Sequence, residues 1–217
     1  IMNFELNAMG LAAVSTEKCD ALIVLVPQDF KAGKDDLSTL LAQTLKAGDL
    51  EAKPGKTLSL YRPVQAHATR VVLAGVGSGS ARDVRGAVLS AVAAVKSTSL
   101  KKLVVSFAAP AREDAVRAVV TAVADASYTY TTTKSKPEGR TLSKVLVAAT
   151  NATEVQASFD RAAGIVIGAE LTKEWANRPA NHATPTLLAQ AAQELAQHPK
   201  ITCEVLGPKE VAQLGMG

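Results

Sequence analysis

The sequence predicts an α/β fold: a mixed, mostly parallel sheet with helices on both faces, then a long connecting helix and the start of a second α/β domain. Three observations carry this. Short apolar runs alternate with stretches whose Leu or Val residues recur at helical spacing, and strand and helix in alternation build a sheet covered on both sides. Several of the runs are apolar at nearly every residue, as strands buried on two faces are. One helical stretch, Thr153 to about Asn177, exceeds an ordinary domain helix; at ~1.5 Å per residue it spans roughly 37 Å and suits a connector.

"NFELNA" (Asn3–Ala8) reads as an edge strand. "ALIVLVP" (Ala21–Pro27), "TLSLYRPV" (Thr57–Val64), "RVVLAGVG" (Arg70–Gly77), "KLVVSFAA" (Lys102–Ala109) and "KVLVAAT" (Lys144–Thr150) read as the other strands. Between them lie three helical stripes: Leu37, Leu40, Leu41 and Leu45; Val84, Val88, Val92 and Val95; Val116, Val119, Val120 and Val123. "TTTKSKPEGR" (Thr131–Arg140) is a loop by composition. Thr153 and Gln156 have the form of a capping box for the long helix. Gly164 and Gly168, four apart, would let a neighbour pack closely on it.

The long helix must end at or before Arg178, because Pro179 disfavours helical geometry there. Thr184 is a good N-cap for a new helix, with Pro185 at its first position and Leu187, Leu188, Ala191, Ala192 and Leu195 on one face. "ITCEVLG" (Ile201–Gly207) reads as a strand and "PKEVAQLGMG" opens another helix. One short helix, one strand and part of a helix bury little, so this tail reads as the start of a second body.

Composition narrows the function. Hydrophobic residues make up 47% of the 217 and aromatics only 4%, so the core is built from Ala, Val and Leu. The longest strongly apolar run of the long helix, Ala162–Ala169, falls far short of the ~20 residues of a membrane span. The first residues have no basic segment followed by an apolar one, so no secretory signal is read there. Cys19 and Cys203 make no disulfide framework and are read as free structural thiols of a reducing cytoplasm. Net charge is +4, with nine basic against four acidic residues between Lys96 and Lys144; that mild excess is a solvated surface rather than a nucleic-acid footprint.

No reactive constellation stands out. Gly75, Gly77 and Gly79 follow a strand and precede a helix, where a phosphate could meet helix amides. The third glycine of G-x-G-x-x-G is missing, no ribose-binding acid follows, and Ser80 with Asp83 makes a helix cap, so a tight turn is the preferred reading. His67, His182 and His198 fit no H-E-x-x-H and no Cys/His cluster. The acidic pairs Asp35–Asp36 and Glu113–Asp114 sit at helix starts, where the dipole favours them. No G-x-S-x-G is present.

The segment Glu174–Gly217, however, resembles the opening of the catalytic domain of the leucyl aminopeptidase (cytosol aminopeptidase) family. Its N-x-P-x-N-x-x-x-P pattern falls on Asn177, Pro179, Asn181 and Pro185, and its L-G-M-G on Leu214–Gly217. "LKAGDLEAKPGKTLSLY" (Leu45–Tyr61), "RVVLAGVGSG" (Arg70–Gly79) and "YTYTTTKSKP" (Tyr128–Pro137) resemble bacterial members more loosely.

The resemblance implies a macro-domain-like N-terminal α/β domain over 1–150, a connecting helix over 151–178, and the truncated beginning of the catalytic peptidase domain over 179–217. It implies a cytoplasmic, hexameric metallopeptidase that releases N-terminal residues, often leucine, from peptides. Two divalent ions, zinc with manganese or magnesium, would activate a bridging water. Their ligands belong to motifs such as N-T-D-A-E-G-R, which this sequence lacks. No catalytic, cofactor-binding or metal residue is therefore assigned to this chain, and the 217 residues alone are expected to bind no metal and to be inactive. Two other readings attach to the resemblance: a DNA-binding regulatory module, and an ADP-ribose or nucleotide-binding macro-like module.

Overall fold

The structure is a computed structural model describing residues 2–97 and 99–216. In chain order it holds β1 (Asn3–Ala8), α1 (Leu11–Ser15), β2 (Cys19–Pro27), α2 (Asp36–Ala47), β3 (Thr57–Tyr61), β4 (Ala68–Gly77), α3 (Ala81–Val95), β5 (Lys102–Phe107), α4 (Glu113–Ser127), β6 (Lys144–Ala149) and α5 (Ala152–Asn177). A 3-10 turn over Ala180–His182 then leads to α6 (Pro185–Leu195) and α7 (Pro208–Gln213).

One sheet has the order β1-β6-β5-β2-β4-β3. All neighbours are parallel except β3, which runs antiparallel to β4. β2 is central, and its residues alternate between two cores, as successive side chains of a strand must. Leu22, Val24 and Val26 meet Val14 of α1 and Leu37 and Leu41 of α2. Ala21, Ile23 and Leu25 lie in the core built with the Val stripes of α3 and α4. The expected mixed sheet with helices on both faces is thus the observed architecture.

Several expectations need correction. β3 stops at Tyr61 rather than Val64, because Arg62 takes a left-handed φ of 46° and Pro63 follows. Residues 201–207 form no strand: Ile201 to Leu206 are exposed, and among the described residues no neighbouring strand pairs with them to hold them extended. The long helix starts one residue early, at Ala152. Asn151, not a Thr153–Gln156 box, fixes that start. Its side chain accepts from the Ala111 amide at 2.8 Å and donates to the Ala111 carbonyl at 3.0 Å, while Gln156 donates to Asp160.

α5 is unbroken and ends before Pro179. Ala152, Val155, Phe159, Ala162 and Val166 are buried in the first core, so its first half is a domain helix. No buried residue follows Val166. Gly164 and Gly168 have no atom within 4 Å of an added Cβ, so the close neighbour expected there is not found among the described residues.

Two glycines show opposite physics. A Cβ on Gly75 would lie 2.4 Å from the Lys53 carbonyl oxygen and 2.5 Å from that of Glu51. This close approach lets the Gly75 amide donate to Lys56 O at 2.9 Å and the Gly77 amide to Ala52 O at 2.9 Å, docking residues 51–56 beside β4. Gly75→Ala should cost about 1–3 kcal/mol, since backbone rather than a mobile side chain must yield. Gly86 lies inside α3 with open space around it. Gly86→Ala should gain ~0.5–1 kcal/mol by helix propensity. Urea unfolding of the two variants should therefore move in opposite directions.

Candidate functional site

Ligands of parallel α/β sheets usually sit outside the carboxyl ends of the strands, where the chain switches direction across the sheet. Here β4 lies on one side of β2, and α3 carries the chain back to β5 on the other. A cavity of about 200 Å³ lies at that point, lined by Leu25, Val76, Val84, Phe107, Asp29 and Arg112 among others.

The cavity is poorly built for a phosphate. At the start of α3, the Ser80 hydroxyl donates to Asp83 at 2.8 Å and accepts from the Asp83 amide at 3.2 Å. At the start of α4, the Arg112 guanidinium donates to both oxygens of Asp114, at 3.0 and 3.1 Å. That hydrogen bonding, with lesser help from the Arg112 charge and the helix-start amides, holds the Asp114 carboxyl below its usual range despite some burial. Each helix start thus already carries a carboxylate where a phosphate would seek positive potential. Gly75 and Gly77 are accounted for by the docked segment 51–56. The nucleotide reading of the glycine turn gains no support.

The other sequence candidates are dispersed. Asp35 caps α2, accepting from the Ser38 amide at 2.9 Å and its hydroxyl at 2.7 Å. Glu113 accepts from Ser158 at 3.1 Å and so ties α4 to α5. His67, His182 and His198 are exposed. Among the described residues no three His, Cys, Asp or Glu side chains converge as a metal set, so the two ions implied by the family find no ligand group here. The basic residues between Lys96 and Lys144 are divided: Lys102 pairs with Glu17, Arg112 with Asp114, Arg140 with Glu170 and Lys144 with Glu5. That division lends no support to a DNA-binding face.

What the structure does assemble is a polar seam along the second half of α5. Arg140 grips Glu170 with two bonds of 2.5 and 3.1 Å. Asp125 of α4 receives Lys173 at 2.5 Å and Arg85 of α3 at 2.6 Å. Burial alone would raise the Asp125 carboxyl, but these two bonds and their charges outweigh it and hold the group below its usual range. Lys173 also lies over the Tyr128 ring at 5.2 Å, and burial pushes that phenol up. Glu174 accepts from Thr132 at 2.5 Å and from Arg178 at 3.3 Å, and Arg178 stacks on Trp175 at 3.9 Å.

The proline-rich joint follows directly. Asn177 donates to the Lys173 carbonyl at 2.7 Å, Thr184 accepts from the Leu187 amide at 3.4 Å, and Pro185 takes the first turn of α6. Asn177 and Thr184 are thus spent on turning the chain, while Asn181 and His182 of the joint are exposed. Beyond it, Leu171, Trp175, Ala176, Leu188, Ala192 and Leu195 enclose an open apolar groove of about 480 Å³. α6 has no buried residue, with Leu188 46% and Leu195 41% exposed.

These features define a class: a three-layer α/β domain with no reacting cluster among its described residues, extended by a helix into an uncovered tail. The family is equally definite. The model of the cytosol aminopeptidase family, N-terminal domain, matches residues 13–137, and the chain belongs to that family. A probable cytosol aminopeptidase of Albidiferax ferrireducens is 59% identical over 216 residues, covering 100% of this chain and 45% of the relative. One from a Polaromonas species is 56% identical, covering 100% and 43%. The chain thus spans somewhat less than half the length of these curated relatives. Among solved structures, a mutant of tomato leucine aminopeptidase superposes with a TM-score of 0.77 at 21% identity, over 100% of this chain and 47% of that one. A bottromycin maturation enzyme in complex with Mn gives 0.66 at 20%, over 91% and 40%. At such identities these two establish the fold. Among the described residues, no helix is long and apolar enough to cross a membrane.

The seam escaped the sequence reading. Glu174 and Arg178 stand four apart on the helix, which is a visible signal. Arg85, Asp125, Arg140 and Lys173 come from four separate segments and carry none.

Two outcomes are expected. Burial pushes the Cys19 thiol up to about 12, whereas Cys203 is exposed. At about pH 8 Ellman's reagent should titrate Cys203 in the native protein and reach Cys19 only after denaturant is added, because the thiolate is the reactive form. Asp125→Asn should cost about 1 kcal/mol at neutral pH, a figure held down by solvent because the three groups are about a third or more exposed. A depressed folded-state carboxyl stabilises above its unfolded value, and that gain is lost as pH falls through the folded value. The difference between wild type and Asp125→Asn should therefore be constant near neutrality and shrink below about pH 4.

Proposed function

We propose that the chain is the N-terminal part of a leucyl aminopeptidase, a two-metal exopeptidase that releases N-terminal residues, often leucine, from peptides. The observation that carries this is identity of 59% along the whole chain to a relative of which it spans 45%. In this reading residues 1–150 are the N-terminal α/β domain, 151–178 the connecting helix, and 179–217 the beginning of the catalytic domain. The exposed groove between α5 and α6 supports the last assignment, since apolar faces of this kind commonly mark a contact surface.

The whole protein would be a cytoplasmic homohexamer using two divalent ions, zinc, manganese or magnesium, with peptides as substrates. Such ions activate a bridging water and polarise the scissile carbonyl when several fixed carboxylates hold them. The described residues offer no such group. The role proposed for this chain is assembly and positioning: the α5 seam fixes the direction in which the joint launches the catalytic domain.

The 217-residue chain should hold no stoichiometric zinc or manganese and should not hydrolyse leucine p-nitroanilide. A chain extended to the length of its relatives should do both. About two ions per 217-residue chain, with chelator-sensitive turnover, would overturn the reading, because two-metal hydrolysis would then have ligands within these residues.

A further inference from the structure

Two arginines border one cavity with no carboxylate to hold them. The cavity, of about 420 Å³, lies at the amino ends of β2 and β4, the end of the sheet opposite the crevice described above. Its size is that of a small-molecule site, commonly about 300–1,000 Å³. Its walls include Asp20, Tyr61, Arg62, Arg70, Val95 and Leu100. Among the described residues neither Arg62 nor Arg70 forms an ion pair. Arg70 lies over the Tyr61 ring at 5.2 Å and spends one donor, at a long 3.5 Å, on the Val95 carbonyl. Both guanidinium groups thus keep donors to offer.

The backbone at Arg62 is strained. It takes φ 46° immediately before Pro63. Left-handed geometry is costly for a residue with a Cβ, and a following proline favours extended backbone instead. Such strain persists only where the surroundings enforce it, and it gathers at ligand clamps. Here the Arg62 amide donates to the Thr69 carbonyl at 3.0 Å. In a regular strand Arg62 would point away from the face of Tyr61; with the left-handed turn both border the same cavity. The opposite wall is negative. One oxygen of Asp20 accepts from the Lys101 and Lys102 amides at 2.9 and 2.8 Å, and among the described residues no donor reaches the other. α3 ends at Val95, so the negative end of its dipole lies on this side too.

We infer that this cavity binds a free α-amino acid with an apolar side chain. The ligand carboxylate bridges the Arg62 and Arg70 guanidinium groups, whose planar forks match a carboxylate. The ammonium meets the second oxygen of Asp20 and the carbonyl end of α3, where a cation is favoured. The side chain lies against Tyr61, Val95 and Leu100. A simple anion such as phosphate fits less well, because Asp20 and the helix end oppose it. Amino acids are what the proposed peptidase would release, so the site would read the level of its product. That meaning rests on the proposed function; the binding itself does not.

Isothermal titration of the 217-residue chain with L-leucine should give saturable binding with a dissociation constant of about 1 mM or below. L-leucinamide lacks the carboxylate and 4-methylpentanoate lacks the ammonium. Each should bind about tenfold more weakly or worse, as the loss of a charged hydrogen-bonding group implies. Arg70→Gln and Arg62→Gly should weaken leucine by a similar factor. Arg62→Gly also separates binding from folding: glycine accepts the left-handed φ, so this variant should resist urea at least as well as wild type. Asp20→Asn, which keeps an oxygen for the two amides, should weaken leucine and leave 4-methylpentanoate unchanged. No saturable leucine binding, equal binding of leucinamide or inorganic phosphate, or full leucine affinity in Arg62→Gly or Arg70→Gln would each overturn the inference. The titration reads no peptide hydrolysis, so its failure is distinct from a failure of the proposed peptidase function.

Discussion

Everything in this fold follows from burying β2 on both faces. From Ala21 to Val26 its side chains are within 1% of complete burial, although they point in alternate directions. A strand in that position needs apolar residues at every site and helices on both sides of the sheet. α1 and α2 supply one layer, and α3, α4 and the first half of α5 the other. With few aromatic residues, the filling is done by many Val and Ala side chains. These interdigitate closely and leave little room for volume change. The tight approach at Gly75 is one more consequence, since residues 51–56 reach the sheet only where β4 has no Cβ to block them.

The second half of α5 is held differently. Past Val166 no apolar side chain of the helix is buried, and Glu170, Lys173 and Glu174 take over. Apolar contact is tolerant of sliding, whereas a carboxylate gripped by a guanidinium fork fixes both distance and orientation. Arg140–Glu170 is the most buried of these pairs, with side chains 16% and 25% exposed. Together with Asp125 between Arg85 and Lys173, it sets the helix direction against α3, α4 and the loop before β6. Isolated surface pairs contribute little to stability. Their value here lies in geometry: a small rotation of the helix would be magnified along the tail it carries.

Most of the domain was legible in the sequence because its signals are local. Apolar runs marked the strands, Val and Leu stripes marked α2, α3 and α4, and Ser80–Asp83 and Thr184–Pro185 marked helix starts that the structure retains. Most of the failures are non-local. The start of α5 is set by Asn151 reaching Ala111, forty residues back, so the local Thr153–Gln156 pattern misled. α1, at five residues, is too short to show a period. Residues 201–207 have strand-like composition, but a strand needs a hydrogen-bonded neighbour and none of the described residues provides one. The polar seam was invisible because charge partners from distant segments leave no spacing to read.

The place where an α/β sheet usually keeps its ligand was also misleading. The crevice at the ends of β2, β4 and β5 has the position but not the electrostatics, because Asp83 and Asp114 already occupy the helix starts that would hold an anion. Fold alone would have placed function there, which illustrates why function must be argued from the site. The surfaces that remain unsatisfied lie elsewhere: the β1 edge with Ile167, and the groove of Leu171, Trp175, Leu188 and Leu195. Both flank α5, at opposite ends of its exposed length. The helix between them is seated by the polar seam. The Val- and Ala-filled interior supplies stiffness, and the apolar side chains left uncovered lie along α5 rather than in the crevice.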